Sequence, residues 1–321
     1  MLTIRKGGMQ TTVQDLGRFG FQKYGVVASG AMDPYALRLA NLLVGNEDNA
    51  AALEITLMGP EIFFEEDAVI SICGGDLRPE LDGRAVGLWR PAAVTKGQTL
   101  TFGKLHIGSR CYLAVAGGID VPKVMNSRST YLRAALGGYQ GRALEAGDQL
   151  TIGKAVVTQK LATQEESWFA PSPSYSSEPV IRVTPGRQYN LFSDDSRKRF
   201  FSEPFSLNSQ SDRMGYRLNG PRLSLSEKQE MISEAVAFGS IQVPADGNPI
   251  ILMADRQTVG GYPKIAEVIT VDLPLISKLK PGDRLRFKEV SVDEAQRLLR
   301  LQEKKINCLK RAIQLKREVM T

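Results

Sequence analysis

Histidine is almost missing from this chain of 321 residues: His106 is the only one. That excludes any site built on several imidazole ligands, and it leaves a Ser-His-Asp or Cys-His nucleophile system this one residue to use. His106 stands in Phe102-Gly-Lys-Leu-His-Ile-Gly, a strand-and-turn setting that suits a structural role, so general acid and base work falls to carboxylates, Lys or Tyr. Cysteine is scarce as well. Cys73, Cys111 and Cys308 are an odd number at wide spacing, which fits buried, reduced thiols and neither a disulfide framework nor a zinc site; no metal is expected. No run of 18 apolar residues exists, and residues 1–8 lack the apolar stretch of a secretory signal, so the expectation is a soluble, cytoplasmic protein with no membrane partner. No Gly-Lys-Ser/Thr ends a glycine run at a strand-to-helix turn, which excludes a P-loop. Aromatics make up only 7% and are not interleaved with basic residues. The net charge of +6 is concentrated at one end: residues 291–321 hold eight Lys/Arg against four Asp/Glu, leaving +2 for the other 290. A nucleic-acid platform is not expected from that distribution.

What is there reads as two β-rich domains, since the length exceeds what one core fills and 42% of the residues are apolar. Short apolar runs bounded by Gly, Pro or Asp-Gly recur at Leu53–Leu57, Ala68–Cys73, Thr99–Phe102 and Cys111–Val115, the pattern of strands. One helix stands out in the first half: Asp33 fits an N-cap, Pro34 the first helical position, and Gly45 the stop. Asp33 is open to a site role as well as a cap. A second helix starts near Ser291, which has Glu294 at capping-box spacing, and its later, basic part reads as a solvated or fraying end. Residues 1–158 form the first expected domain. A Ser/Pro/Glu-rich linker covers 159–179, a second β domain 180–290 and the basic helix 291–321.

The two halves share features. Glu54-Ile-Thr-Leu-Met-Gly answers Glu234-Ala-Val-Ala-Phe-Gly, each Glu five residues before its Gly; Ala68–Cys73 with Asp76 answers Pro249–Ala254 with Asp255; and Gly97–Phe102 answers Gly282–Phe287. Two copies of one β unit, the first enlarged by a glycine-rich insertion between Gly117 and Gly153, account for this, and a cleft between similar halves is the expected place for a site.

The stretch Ser233–Lys264 organises the second half. Ile241–Val243 and Ile250–Ala254 are too short for helices and are separated by Asp246, Gly247 and Asn248, which predicts two strands joined by a corner. Directly after them comes Asp255-Arg-Gln-Thr-Val-Gly-Gly-Tyr-Pro, in which accepting, donating and charged side chains precede a Gly pair, so that Asp255, Arg256, Gln257 and Tyr262 form a candidate site. A similar glycine-punctuated polar loop carries Gln14, Asp15 and Arg18 around Gly17 and Gly20.

Several stretches together resemble one family: Thr12-Val-Gln-Asp-Leu-Gly-Arg-Phe-Gly, Ser29-Gly-Ala-Met-Asp, Ala40-Asn-Leu-Leu-Val-Gly-Asn, Ser211-Asp-Arg-Met-Gly-Tyr-Arg-Leu, Gly239-Ser-Ile-Gln-Val-Pro and the Asp255–Pro263 loop. They are similar to the KipA family, also known as the second component of allophanate hydrolase or the C component of 5-oxoprolinase, a biotin-dependent-carboxyltransferase-like group. Its likeness runs from about residue 2 to 300 and leaves out the basic tail. The resemblance implies a mainly β fold of two tandem cyclophilin-like β-barrel subdomains with few helices and a C-terminal helix. It also implies ATP-dependent opening of 5-oxoproline to L-glutamate, in complex with a KipI-like B component and an A component of the same 5-oxoprolinase, the chain being inactive alone. Two other readings stay open: a KipI antagonist that relieves inhibition of a sporulation sensor kinase, and the carboxyltransferase component of a urea carboxylase-type system. The last would need a separate carrier, because the chain has no Ala-Met-Lys-Met biotin attachment sequence.

For a cyclic amide bearing a carboxylate, residue chemistry suggests a bidentate cation from Arg18, Arg213 or Arg217. Asp15, Asp212, Asp255, Gln14, Gln242 and Gln257 are suited to the ring N–H and carbonyl, and Tyr262 is a further candidate for substrate binding. Catalytic candidates are Asp255, Glu234 and Asp212, with Glu234 as a base. Two alternatives stand beside these roles: internal ion pairs between the arginines and these same aspartates, and a structural role for Glu234 of the kind its repeat partner Glu54 suggests.

Overall fold

The structure, a computed structural model, describes residues 1–154, 169–227 and 229–320, with side chains as far as 315. Part of the expected linker, 159–168, lies outside the described residues. Two compact units are present. One consists of Met1–Arg18, Ser29–Ser174 and the end of the chain from Lys304; the other of Phe19–Ala28 and Tyr175–Glu303.

The first unit is a pair of sheets. Five strands run in the order Gln10–Gln14, Ala52–Thr56, Ile107–Val115, Ala68–Asp76, Pro91–Val94. Seven more run in the order Ile119–Asp120, Gln149–Ile152, Leu2–Lys6, Glu61–Phe64, Thr99–Phe102, Pro79–Leu81, Arg84–Ala85. Alternate residues of both sheets, among them Leu2, Ile4, Phe64, Leu100, Ile70, Ile72, Leu113 and Val115, meet in one apolar core. The opposite face of the five-stranded sheet is covered by the helix Pro34–Leu43, which packs on Ile107–Val115 and Ala68–Asp76. Covered on both sides, Ala68–Asp76 is buried along all but its last residue, and this is why it reads as a continuous apolar run and does not alternate. Asp33 is the N-cap expected of it: its Oδ1 accepts from the Ala36 N–H at 2.8 Å. Gly45, at φ +77°, ends the helix, its N–H bonded to the Leu42 carbonyl.

The second unit contains a closed barrel of seven strands: Val180–Pro185, Lys264–Val268, Ser240–Gln242, Ile250–Leu252, Gly215–Asn219, Phe205–Leu207 and Arg284–Glu289. Closure comes from a parallel pairing of Val180–Pro185 with Arg284–Glu289, all other pairings in the ring being antiparallel. The expected hairpin is there, with Ile241 opposite Ile251 and Gly247 at φ +81° in the corner. Phe200, on the helix Asp194–Ser202, stacks on Phe287 of the barrel with ring centroids 4.4 Å apart, and Phe205 packs beside both. A two-stranded ribbon, Glu234–Ala235 with Val259–Gly260, completes this unit.

The protein is thus mainly β, with one closed barrel and a long C-terminal helix; among the described residues the strands of the first unit pair into two sheets. The last helix runs Val292–Met320 from a Ser291 cap, whose Oγ accepts from the Glu294 N–H. Its basic part is helical and mostly exposed, as the expectation of a solvated helix had it, with Ile306 and Ile313 buried on one side and Lys310 paired with Asp48 at 3.0 Å. Cys73 and Cys111 are buried thiols, whereas Cys308, on that helix, is exposed, contrary to the expectation for all three.

Candidate functional site

Each unit carries its own polar centre. In the first, Gln14, Asp15 and Arg18 come together at the end of strand Gln10–Gln14 and are all buried. Asp15 is fully engaged. Its Oδ1 accepts from the Gly17 N–H (2.8 Å) and the hydroxyls of Ser127 (2.7 Å) and Ser129 (2.5 Å), and its Oδ2 from the Arg128 N–H (2.6 Å). Arg18 donates to the carbonyls of Ser129 (2.7 Å) and Val124 (3.3 Å). Gln14 donates to the Thr130 carbonyl (3.1 Å). The three side chains therefore fasten the 124–130 segment to the strand. Gly137, at φ +68°, is required here, because a Cβ would lie 2.5 Å from the Arg18 guanidinium.

A second buried group in this unit surrounds Glu54. It sits across from Tyr112 on neighbouring strands, on the face that the helix covers. The Glu54 Oε2 accepts from the Tyr112 hydroxyl (2.6 Å) and the Met32 N–H (2.9 Å), and its Oε1 pairs with Arg110 Nε (3.3 Å). The Tyr112 hydroxyl in turn accepts from the Asp33 N–H (2.7 Å). Burial and the neighbouring Glu54 push the Tyr112 phenol well above its ordinary value, so it stays a donor.

In the second unit, strand geometry brings together residues that are far apart in sequence. Ala266 faces Ile241 but Lys264 faces Gln242, so Ile265 is an extra residue, a β-bulge. The bulge turns the Lys264 ammonium toward the ribbon, where it pairs with Glu234 Oε1 at 3.0 Å and donates to the Ala235 carbonyl at 3.2 Å. Glu234 also accepts from Gln188 Nε2 and Arg187 Nη1, each at 2.8 Å. The Gln188 bond and the Lys264 charge hold its carboxyl below the usual range, so it is an anion at neutral pH while about a fifth of its side chain faces solvent. Glu267, three residues along from Lys264, is pushed the other way by burial, against the pull of the Ser240 hydroxyl and of Lys264.

Asp255 and Arg213 form a bidentate pair, Nε to Oδ2 at 2.9 Å and Nη2 to Oδ1 at 3.0 Å, with both residues buried. This is the internal ion pair that the sequence left as an alternative. Asp212 is exposed and caps its own turn, accepting from the N–H groups of Met214 (2.8 Å) and Gly215 (3.2 Å). Gln242 is buried against the ribbon: it donates to the Tyr262 carbonyl at 3.2 Å, and any Cβ on Gly260 would collide with its amide. The Tyr262 ring is half exposed, Gln257 is exposed, and Arg217 points to solvent from strand Gly215–Asn219. His106 is exposed and joins neither centre. Lys264, Gln188, Arg187 and Glu267 were missed as site residues. Only Lys264 carried a signal, its place directly after Gly-Gly-Tyr-Pro. Among the described residues no cluster of His, Cys, Asp or Glu is arranged to hold a metal ion, and no helix is long and apolar enough to cross a membrane.

Fold and site together define a class: a β protein of a two-sheet unit and a closed-barrel unit, each holding buried or ion-paired carboxylates, with no imidazole at either. Residues 24–289 match the family described as carboxyltransferase domain, subdomain A and B, and the chain belongs to that family. The motif resemblance is borne out by its relatives. The chain is 40% identical to the C component of 5-oxoprolinase from Haemophilus influenzae, over 98% of this chain and 99% of that protein. It is 43% identical to the C component of 5-oxoprolinase from Escherichia coli, over 92% and 93%. Among solved structures, the urea amidolyase of K. lactis superposes with a TM-score of 0.89 at 33% identity, covering 96% of this chain but only 20% of that one.

Proposed function

We propose that this chain is the C component of an ATP-dependent 5-oxoprolinase, opening 5-oxoproline to L-glutamate in the cytoplasm as part of a complex with a KipI-like B component and an A component. One observation carries the reading: the likeness to the 5-oxoprolinase C component extends over nearly the whole of both proteins, whereas the urea amidolyase of K. lactis holds the matching part as a fifth of its length. The first unit's two sheets are, on this reading, an opened form of the cyclophilin-like barrel that the second unit keeps closed.

Opening a lactam needs a base to deliver water and a cation for the substrate carboxylate. Glu234 is suited to the first task, being ionised, partly exposed and oriented by Lys264, Gln188 and Arg187. Gln242, Gln257 and Tyr262 lie on the segments flanking the ribbon and supply donors and acceptors for the ring amide, while the Asp255–Arg213 pair makes the rigid floor of that segment. ATP is consumed by the assembled complex, and no biotin is attached to this chain. The test is co-expression with the KipI-like protein and the A component. The expected result is one co-eluting complex that releases glutamate from 5-oxoproline with ATP, and no release by this chain alone. A complex that forms without turnover but relieves inhibition of a sensor kinase would favour the regulatory reading. Turnover dependent on a biotinylated carrier would favour the carboxyltransferase one.

A further inference from the structure

We propose that Arg256 is the residue that receives the carboxylate of the substrate, on the face of the second unit where the ribbon meets the barrel. The proposal rests on the 5-oxoprolinase reading and names a part of the site that the sequence assigned to other arginines.

Those other arginines are engaged or solvated. Arg213 gives both of its fork positions to Asp255, Arg18 is buried against the carbonyls of Val124 and Ser129, and Arg217 lies in open water, where a single ion pair gains little. Arg187 is spent on Glu234. Arg256 is different. It is half-buried, and burial pushes its guanidinium below its ordinary value, yet among the described residues no carboxylate forms an ion pair with it. Its contacts are long: Nε to the Val236 carbonyl at 3.5 Å and Nη1 to the Met253 carbonyl at 3.4 Å, with the Phe238 ring centroid 5.7 Å from the guanidinium carbon. Of the two carboxylates that act on it, Asp255 already neutralises Arg213, and Glu267 acts without an ion pair.

A desolvated cation without a counter-ion costs free energy, and a planar fork of donors is matched by a carboxylate. The surrounding charges point the same way. Arg187, Lys264 and Arg256 stand against Glu234 and Glu267, an excess of one positive charge that a monoanionic substrate would balance. Arg256 reaches the Val236 carbonyl, two residues past Glu234 on the ribbon, so the carboxylate partner and the base share one short segment.

The test uses the assembled complex, the KM for 5-oxoproline, and the inhibition constant of 2-pyrrolidinone, which has the same ring without the carboxylate. Arg256→Met is expected to raise KM for 5-oxoproline roughly 10- to 100-fold, the usual worth of a charged hydrogen bond, and to leave pyrrolidinone inhibition unchanged. Arg256→Lys, which keeps the charge and loses the fork, should fall between. Equal weakening of both ligands, or an unchanged KM in either variant, overturns the proposal. If Arg256→Met does not fold, as read from its thermal melt, the Lys variant decides, and a wild-type KM in it is the overturning result. A wild-type complex that does not open 5-oxoproline removes the 5-oxoprolinase reading and this proposal with it, an outcome distinct from an active complex indifferent to Arg256.

Discussion

Glu54 and Glu234 occupy matching places in the two halves, each five residues before a glycine, and the structure gives them opposite surroundings. Glu54 is sealed under a helix, 1% exposed, with its oxygens divided among Arg110, Tyr112 and the Met32 N–H. Glu234 sits on an open ribbon, held by three side chains and still wetted. The same carboxylate is a buried pin where a helix encloses it and a solvent-facing anion where the ribbon leaves it uncovered. Burial and not residue type separates the roles.

The largest expected effect tests the sealed side. Glu54→Ala leaves Arg110 and Tyr112 without their buried partner, and should cost about 3–5 kcal/mol of stability, read as a lowered denaturant midpoint or as loss of soluble protein. If Glu54→Ala melts like the wild type, the pin is no pin and the contrast collapses. Arg213→Ala comes next. Removing one member of a buried bidentate pair should cost about 3 kcal/mol, and the double variant with Asp255→Ala should lose less than the sum of the two single losses, which a double-mutant cycle measures.

On the open side the expected loss is in turnover. Glu234→Gln keeps the shape and the amide contacts, so stability at neutral pH should fall by less than about 1 kcal/mol, as for a partly exposed pair. The kcat of the assembled complex should drop on the order of 100-fold, the usual range for a lost general base. A stability loss as large as that of Glu54→Ala, with kcat of the folded fraction unchanged, would make the two glutamates equivalent.

Much of this was legible in the sequence wherever a local rule decides. Asp33, Pro34 and Gly45 mark their helix because capping is a matter of neighbours. The corner between Ile241 and Ile251 shows in its turn residues, and the strands show in their apolar runs. What stayed hidden depends on pairing across distance. Barrel closure rests on a parallel contact between strands about a hundred residues apart. Lys264 reaches Glu234 only through a bulge, which leaves no local mark. Arg213 and Arg256 look alike as arginines beside aspartates, yet Asp255 turns to Arg213, 42 residues before it, and not to its own neighbour. Which arginine is spent and which is available is decided by register, and register is a property of the folded sheet.

The smallest effect lies within the open centre and divides it further. Burial holds the Glu267 carboxyl above its ordinary value, whereas Gln188 and Lys264 hold that of Glu234 below. Folding therefore binds a proton at Glu267 more tightly than the unfolded chain does. Its contribution to stability is fully present below the unfolded value of about 4.3 and is lost as pH rises through the raised folded value. Glu234 runs in reverse: its contribution is present above the unfolded value and is lost as pH falls through the lowered one. Glu267→Gln, a permanent mimic of the protonated form, should accordingly raise the melting temperature at pH 7.5 by roughly 1 to 2 °C and do nothing at pH 4, while Glu234→Gln should lower it at pH 7.5 and do nothing at the acid end of its range. Melts of both variants across that interval give two difference curves of opposite sign. If both fall on the same side of the wild type at neutral pH, Glu267 behaves as an ordinary carboxylate and the division of the open centre into a raised and a lowered glutamate fails.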